Sequence, residues 1–326
     1  MRNIFHMPSS EDAMHRPRRQ LLVSVVVPCK NEVRYLPQAL ESILSQDYPN
    51  IECIVADGGS TDGTIDLLKR YGERICWMSE PDRGAFDAIN RGLRQSKGEI
   101  LAWLNADDLW ETGAVRTVVE IFEDRPDVDV VYGSTGVVDE LGRFLSELAP
   151  GTWDLEHALR HCLHLIFQPA CFMRRRILEK VGWLYPAWCH DHDLWLRIAR
   201  GGGTFLRLPT RLAMDRLRPD NLGHLAEVVV PAKINLTKRF FAEPGLPPNI
   251  QSLRERAISS AYVRAVDYLQ ISRPRQWLTA ARLLVQALIA DPRNIGSVLE
   301  RGTRPFRWRI AWLFKEIFWM FTSPRR

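Results

Sequence analysis

The chain has 326 residues, 46% of them hydrophobic and 25% charged, with a formal net charge of +5. That balance belongs to globular proteins and excludes a largely disordered or fibrous chain; the length allows one large domain with an appendage, or two modest ones. The basic excess is small and comes without zinc-finger spacing or an RNP-like string, so no nucleic-acid partner is expected; a polyanionic small substrate or an anionic membrane surface accounts for it equally well.

Residues 1–19 contain basic residues but no apolar h-region, and read as a flexible basic leader. No stretch approaches the roughly 18 uninterrupted apolar residues of a membrane-spanning helix, so the chain is expected not to cross a membrane. The six cysteines are scattered, with no C-x-x-C pair, and several lie in apolar strings. Buried thiols in a reducing compartment are the expectation.

The first element is LLVSVVVP (21–28), a continuous β-branched run that reads as a strand buried on both faces. Leu36, Leu40, Ile43 and Leu44 then recur at helical spacing. IECIVA (51–56) is a second buried strand, closed by DGGSTDGT, with Asp62 as N-cap and Gly72 as C-cap of the helix between them. ICWMSE reads as a short strand, GAFDAINRGLRQS as a helix, EILAWLN (99–105) as a strand, AVRTVVEIFED as a helix and DVVYG as a strand. This alternation predicts an α/β fold with a mixed, mostly parallel central sheet flanked by helices. Ligands of such sheets bind beyond the carboxyl ends of the strands, which points to residues 28–32, 57–62 and 105–108.

From about residue 150 the pattern changes. GTWDLEHALRHC is helical, LIFQPACFM strand-like and RRILEKVGWL helical; DHDLWLRIARGG is a short amphipathic helix with Leu194, Leu196 and Ile198 inward, and TFLRLPTRLA is a strand. Beyond about 216 only helices are expected, broken by EPGLPPN, Pro274 and Pro292. The predicted organisation is a leader (1–19), an α/β domain (20–218) and a helical extension (219–326).

The sharpest chemical signal is LAWLNADDLW, a buried strand that emerges into Asp107 and Asp108, with Asn105 just before. Adjacent carboxylates repel unless solvent or a cation is near, and hard oxygen ligands suit Mg²⁺ or Mn²⁺ held jointly with substrate phosphates. The other reading makes Asp108 a helix N-cap. Asp57 ends the second strand, where a carboxylate can accept hydrogen bonds from a base or ribose; the turn after it is ascribed to its glycines and not to Asp57. The HDHD string (190–193) and the His161, Cys162, His164 group are read as ordinary histidine positions, because neighbouring residues seldom converge on one ion. Trp183, Tyr185 and Trp188 serve either as a sugar-stacking platform or as core.

Taken in order, VSVVVPCKNE, VADGGSTDGT, SEPDRGAFDAINRGLRQSKGEILAWLNADD and HDLWLRIA resemble the family-2 glycosyltransferases of GT-A fold, over about residues 20–218. The resemblance implies inverting, nonprocessive transfer of one sugar from a nucleotide-diphosphate sugar to a glycan or lipid-linked acceptor, with Mn²⁺ or Mg²⁺ as cofactor. It implies that Pro28, Asn31 and Glu32 line the nucleotide pocket, that Asp57 meets the base, and that Arg83, Asp87 and Asn90 lie near the donor. Helix-surface polarity is the other reading of Asp87 and Asn90. Asp107 and Asp108 take the cation and diphosphate position, Asp107 first; Arg218 is the candidate cationic contact to the diphosphate. Asp191 takes the place of the general base, in preference to Asp193. Two positions depart from the family pattern: Asn105 replaces the first acidic residue of the D-x-D-like motif, and His190 replaces the acidic neighbour of the base. Both favour the competing reading, a non-catalytic nucleotide-sugar-binding or membrane assembly protein with a degenerate site.

The last segment, RGTRPFRWRIAWLFKEIFWMFTSPRR, places Ile310, Leu313, Phe314, Ile317, Phe318 and Phe321 at helical spacing among Trp and Arg. This is the composition of a helix lying in a bilayer interface, or of one packed on protein. The expected location is the cytoplasm, with peripheral contact at the inner face of the cell membrane through residues 301–326.

Overall fold

The computed structural model describes residues 20–186, 189–218, 225–272 and 277–299. The leader (1–19), Trp188 and the segment 301–326 lie outside these residues.

The first four parallel strands arise as their sequences require. β1 (Val23–Cys29), β2 (Ile51–Asp57), β3 (Cys76–Ser79) and β4 (Ile100–Trp103) pair in the order β3-β2-β1-β4. Their connections are α1 (Leu36–Leu44), α2 (Thr64–Tyr71) and α3 (Ala85–Gln95). β1 is buried along its whole length, as a strand covered on both faces must be. Val23, Val25 and Val27 face a core built with α1, α2 and α4 (Ala114–Asp124). Val26 faces the opposite core, shared with Ala88, Ile89 and Leu93 of α3. Side chains of successive strand residues point to opposite faces, so one β-branched run supplies two cores.

Beyond β4 the sheet becomes mixed. β8 (Cys171–Arg174) is antiparallel to β4 and to β6 (Val130–Val138); β6 then runs parallel to β9 (Phe205–Arg216). The two-residue β5 (Leu109–Trp110) closes the far edge against β9, and β7 (Phe144–Leu148) forms a hairpin with β6. Neither β5 nor β7 is expected from the sequence. β7 is exposed along most of its length, so it lacks the apolar alternation that marks a half-buried strand. Most of the strand-like run LIFQPACFM is not strand: Gln168–Ala170 is a 3₁₀ turn, and only its end joins β8. The N-cap of α2 is Gly63 and not Asp62 as expected; Asp62 stands one position earlier, its carboxylate accepting from the Thr64 N–H.

α6 (Arg175–Val181) and α7 (His190–Arg200) complete the layer that contains α3. α5 (Leu155–His161) and the long helices α8 (Leu225–Ala242) and α9 (Arg254–Ser272) pack elsewhere on α7: Leu159, Cys189 and Leu196 share one apolar cluster with Val229, Leu236, Phe240 and Ala257. α10 (Trp277–Ala290) follows. All six cysteines are free, and only Cys76 is exposed. No helix among the described residues is long and apolar enough to cross a membrane.

Candidate active site

Three loops meet at the carboxyl ends of the parallel strands. Cys29, Asp57 and Ser79 stand level in register at the ends of β1, β2 and β3. Asp57 is fully buried, and its carboxylate holds the β2–α2 turn together. Oδ2 accepts from the Gly59 and Ser60 N–H groups, both at 2.9 Å, and from the Ser79 hydroxyl at 2.6 Å; Oδ1 accepts from the Ser60 hydroxyl. The expectation that the turn does not need Asp57 is therefore corrected. Four donors saturate the acceptor sites of a carboxylate, and they fix the loop's shape.

Asn31 locks the neighbouring loop to the same turn. It adopts φ 57, a left-handed conformation that asparagine tolerates, its N–H donates to the Ser60 hydroxyl, and its Oδ1 accepts from Thr61 N–H at 2.8 Å. The loop after β3 closes on the turn from the other side. A methyl group on Gly58 would lie 2.2 Å from Asp82 Oδ2, so only glycine allows this approach.

The loops after β1, β3 and β4, with Arg218, wall a cleft of about 380 Å³; no residue of the Asp57 turn lines it. Of the predicted residues, Pro28, Glu32, Asp107 and Arg218 line it, together with Asn105. Arg218 follows β9 and reaches back across the site. Its Nη1 donates to both Glu32 oxygens at 2.9 and 2.8 Å, and its Nε is 3.2 Å from Asp107 Oδ2. Tyr35 lies beneath this guanidinium, 5.3 Å from ring centroid to Cζ, and beneath that of the buried Arg216 at 5.1 Å.

The two acidic neighbours part company. Asp107 lies on the cleft wall, whereas Asp108 is turned inward and is 1% exposed. Asp108 Oδ1 accepts from the Arg216 N–H at 3.0 Å, and Oδ2 accepts from Asn105 Nδ2 at 2.9 Å. Burial, then the carboxylates of Asp215 and Asp107, push the Asp108 carboxyl well above its usual range. Asp108 immediately precedes β5, and the next helix is capped by Gly113, so the N-cap reading fails as well. Asn105, which stands where the family pattern has an acid, orients Asp108. Of the pair, Asp107 alone has the placement to meet a cation in the cleft. A single carboxylate fits Mg²⁺ or Mn²⁺ when phosphates and water complete the octahedron. Among the described residues no group of three or more His, Cys, Asp and Glu side chains gathers as a metal site.

Arg83, Asp87 and Asn90 divide differently from the expectation. Arg83 is largely exposed and pairs with Asp87 at 3.1 Å, four residues on. Asn90 is buried: its Nδ2 donates to the Leu184 carbonyl at 2.8 Å, and its Oδ1 accepts from the Leu184 N–H at 3.0 Å. It is neither a cleft residue nor surface polarity. It anchors the segment that leads into α7.

α7 carries the two candidate bases. Asp193 is buried and ion-paired to Arg197 Nε at 2.8 Å and to Arg239 of α8. Asp191 lies on the first turn with His164 Nε2 at 3.0 Å from its Oδ2. Burial pushes the Asp191 carboxyl up, but the imidazoles of His164 and His190 outweigh it and hold the group well below the usual carboxylate range. The His190 ring lies 6.4 Å from that of Trp103, the last residue of β4, so the N-terminus of α7 adjoins the strand that delivers Asn105 and Asp107. Sequence reading missed His164 as the partner of Asp191, because the two are 27 positions apart and only the packing of α7 beside the loop after α5 joins them. Of the aromatic trio, Trp183 packs against the core, and Tyr185 is 42% exposed between the guanidinium groups of Arg197 and Arg239.

Residues 24–182 match the family model described as Glycosyl transferase family 2. This part of the chain belongs to glycosyltransferase family 2. The chain is 31% identical over 187 residues to an uncharacterized glycosyltransferase of Rickettsia typhi, covering 55% of this chain and 59% of that one. It is 32% identical over 168 residues to a PGL/p-HBAD biosynthesis glycosyltransferase of Mycobacterium bovis, covering 49% and 62%. The match thus spans about three fifths of the length of these relatives. Among solved structures, S. aureus TarS is similar with a TM-score of 0.59 at 16% identity, over 85% of this chain and 50% of that one. A mannosyltransferase of Pyrobaculum calidifontis, solved in complex with GDP-Man and Mn²⁺, is similar with a TM-score of 0.57 at 20% identity, over 89% and 88%. These likenesses give the fold, GT-A, as the sequence motifs imply.

Proposed function

We propose that the protein transfers a single sugar from a nucleotide-diphosphate sugar to a glycan or lipid-linked acceptor, with inversion at the anomeric carbon. The observation that carries this reading is the cleft at the strand ends, where Glu32, Asp107 and Arg218 meet; the α7 turn bearing Asp191 adjoins the end of β4 through His190 and Trp103. Two related folds were solved with donors of this class, TarS with UDP-GlcNAc and the mannosyltransferase with GDP-Man and Mn²⁺.

In this reading Pro28 and Glu32 line the nucleotide end of the cleft, and Asn31 and the turn built on Asp57 hold that end in shape. Arg218 faces the diphosphate, whose charge a planar guanidinium meets with paired N–H groups. Asp107 would hold Mn²⁺ or Mg²⁺, which supplies Lewis-acid neutralisation of the departing diphosphate. The acceptor oxygen attacks the anomeric carbon from the side opposite the diphosphate. As that bond forms, the sugar–phosphate bond breaks and its electron pair leaves with the nucleoside diphosphate. The acceptor proton passes to Asp191, and one displacement gives one inversion. Among the described residues the exposed ring of Tyr185 is the candidate for stacking on a sugar. Peripheral docking of residues 301–326 on the cytoplasmic face of a membrane fits a lipid-linked acceptor.

The test is a thermal-shift panel of nucleotide-diphosphate sugars with and without Mn²⁺, followed by turnover of those that bind. A donor that raises Tm and is consumed supports the reading. Binding without turnover in the presence of Mn²⁺ and a range of glycan and glycolipid acceptors would favour the binding-protein alternative.

A further inference from the structure

We propose that His164 is a positioning residue for Asp191, holding the carboxylate in place to receive the acceptor proton. The inference rests on the reading of Asp191 as the base.

The geometry is specific. His164 sits in the loop between α5 and β8, and its Nε2 stands 3.0 Å from Asp191 Oδ2. Both side chains keep some solvent access, 28% for His164 and 17% for Asp191, so the pair is seated at the protein's surface edge and not sealed inside the core. His164 is in turn braced: its ring stacks on that of His192 with centroids 5.2 Å apart and planes 25° apart, and Phe167 lies 6.4 Å away. His192 is 4% exposed; burial, then His164 and Lys233, push its pKa well below the usual imidazole range. An uncharged ring beneath His164 braces it without adding a competing cation. Asp193, two residues on, has its carboxylate turned to Arg197 and Arg239 and leaves the first turn of α7 to Asp191.

The chemistry explains why such a partner is useful. A carboxylate receives a proton only while it is ionised, and burial alone favours its protonated form. The groups facing Asp191 are His164 from the α5–β8 loop, His190 and His192 from its own helix, Cys171 from β8 and Cys189 ahead of α7; Lys233 of α8 faces His192 behind them. His164 Nε2 meets the carboxylate from outside its own helix, 3.0 Å from Oδ2. The proton balance is unchanged: the acceptor hydroxyl proton goes to Asp191, and His164 exchanges none in the transfer step.

The experiment uses the full chain with UDP-GlcNAc and GDP-Man as probe donors, Mn²⁺ present, and release of UDP or GDP followed across pH. His164→Ala, His164→Gln and Asp191→Ala are compared with the parent. The expected result for His164→Ala is a fall in kcat of about 10- to 100-fold with donor KM unchanged, and an acid limb displaced to higher pH, because burial of Asp191 is then less opposed. His164→Gln, which restores an N–H donor without charge, should recover part of kcat while the acid limb stays displaced. A His164→Ala profile that superposes on the parent, with Asp191→Ala inactive, overturns the role of His164 and leaves the base intact. Full activity in Asp191→Ala overturns the base assignment itself. A fall in kcat with an unmoved acid limb and no recovery in His164→Gln makes His164 structural and also overturns the proposal.

Discussion

Arg218 joins two carboxylates that come from different loops, gripping both oxygens of Glu32 and standing 3.2 Å from Asp107 Oδ2. The triad brings the loop after β1, the loop after β4 and the end of β9 into one electrostatic unit. Arg216, two residues earlier, ties the same places from beneath, donating from Nε to the Asp107 carbonyl and from Nη2 to Gln38 Oε1. An incoming diphosphate would meet a guanidinium already aimed into the cleft.

Arg218→Ala should raise donor KM or Kd about tenfold or more, while Arg218→Lys, a point charge without the planar fork, should recover only part of it. Isothermal titration with the donor selected by thermal shift reads this directly. Unchanged affinity in Arg218→Ala would remove the residue from the diphosphate site.

Asp107 and Asp108 should separate cleanly. Asp107→Asn is expected to lose Mn²⁺-dependent donor turnover, whereas Asp108→Asn should keep most of it, since Asp108 faces Arg216 and Asn105 and not the cleft. Asp108→Ala leaves both donors without an acceptor and should cost roughly 1–3 kcal/mol of stability, read by chemical denaturation. Equal loss of Mn²⁺ dependence in Asp108→Asn and Asp107→Asn would show that both meet the cation.

Asn90→Ala should cost about 2 kcal/mol, because it strands both the carbonyl and the N–H of Leu184 in a buried place. Since Leu184 lies on the approach to α7, kcat should fall with donor affinity kept. A loss confined to donor affinity would return Asn90 to the donor site.

Gly58→Ala tests the closure of the loop after β3. Its methyl group would overlap the carboxylate of Asp82, whose Oδ1 accepts from the Gly84 N–H, so that side chain must move and give up its place in the loop. The expected outcome is a weaker donor complex, with Tm lowered by only a few degrees. Wild-type donor affinity would show that the loop adapts without consequence.

Much of this was legible in the residues, and what was not has a physical cause. β1, β2 and β4 announce themselves because they are largely buried on both faces, and a run such as VSVVVP has no other use; β3, an exposed edge strand, is legible from the alternation around it. The turn residues at their ends follow from the rule that ligands bind there. What spacing could not supply was direction: Asp107 and Asp108 are adjacent, so nothing in the sequence says that one faces the cleft and the other Arg216, 108 positions away. Asn90 and Asp57 were misread for the same reason. Their polar atoms are satisfied by backbone that only the folded chain brings near. β7 escaped because an exposed hairpin strand carries no apolar alternation, and His164 because its partner comes from another element.

The most direct measurement is turnover of the bound nucleotide-diphosphate sugar, with Mn²⁺ and acceptor, by the full chain and by Asp191→Asn. The account predicts that Asp191→Asn binds the donor with unchanged affinity and loses about 100-fold or more in kcat. Turnover by Asp191→Asn at the parent rate would contradict it.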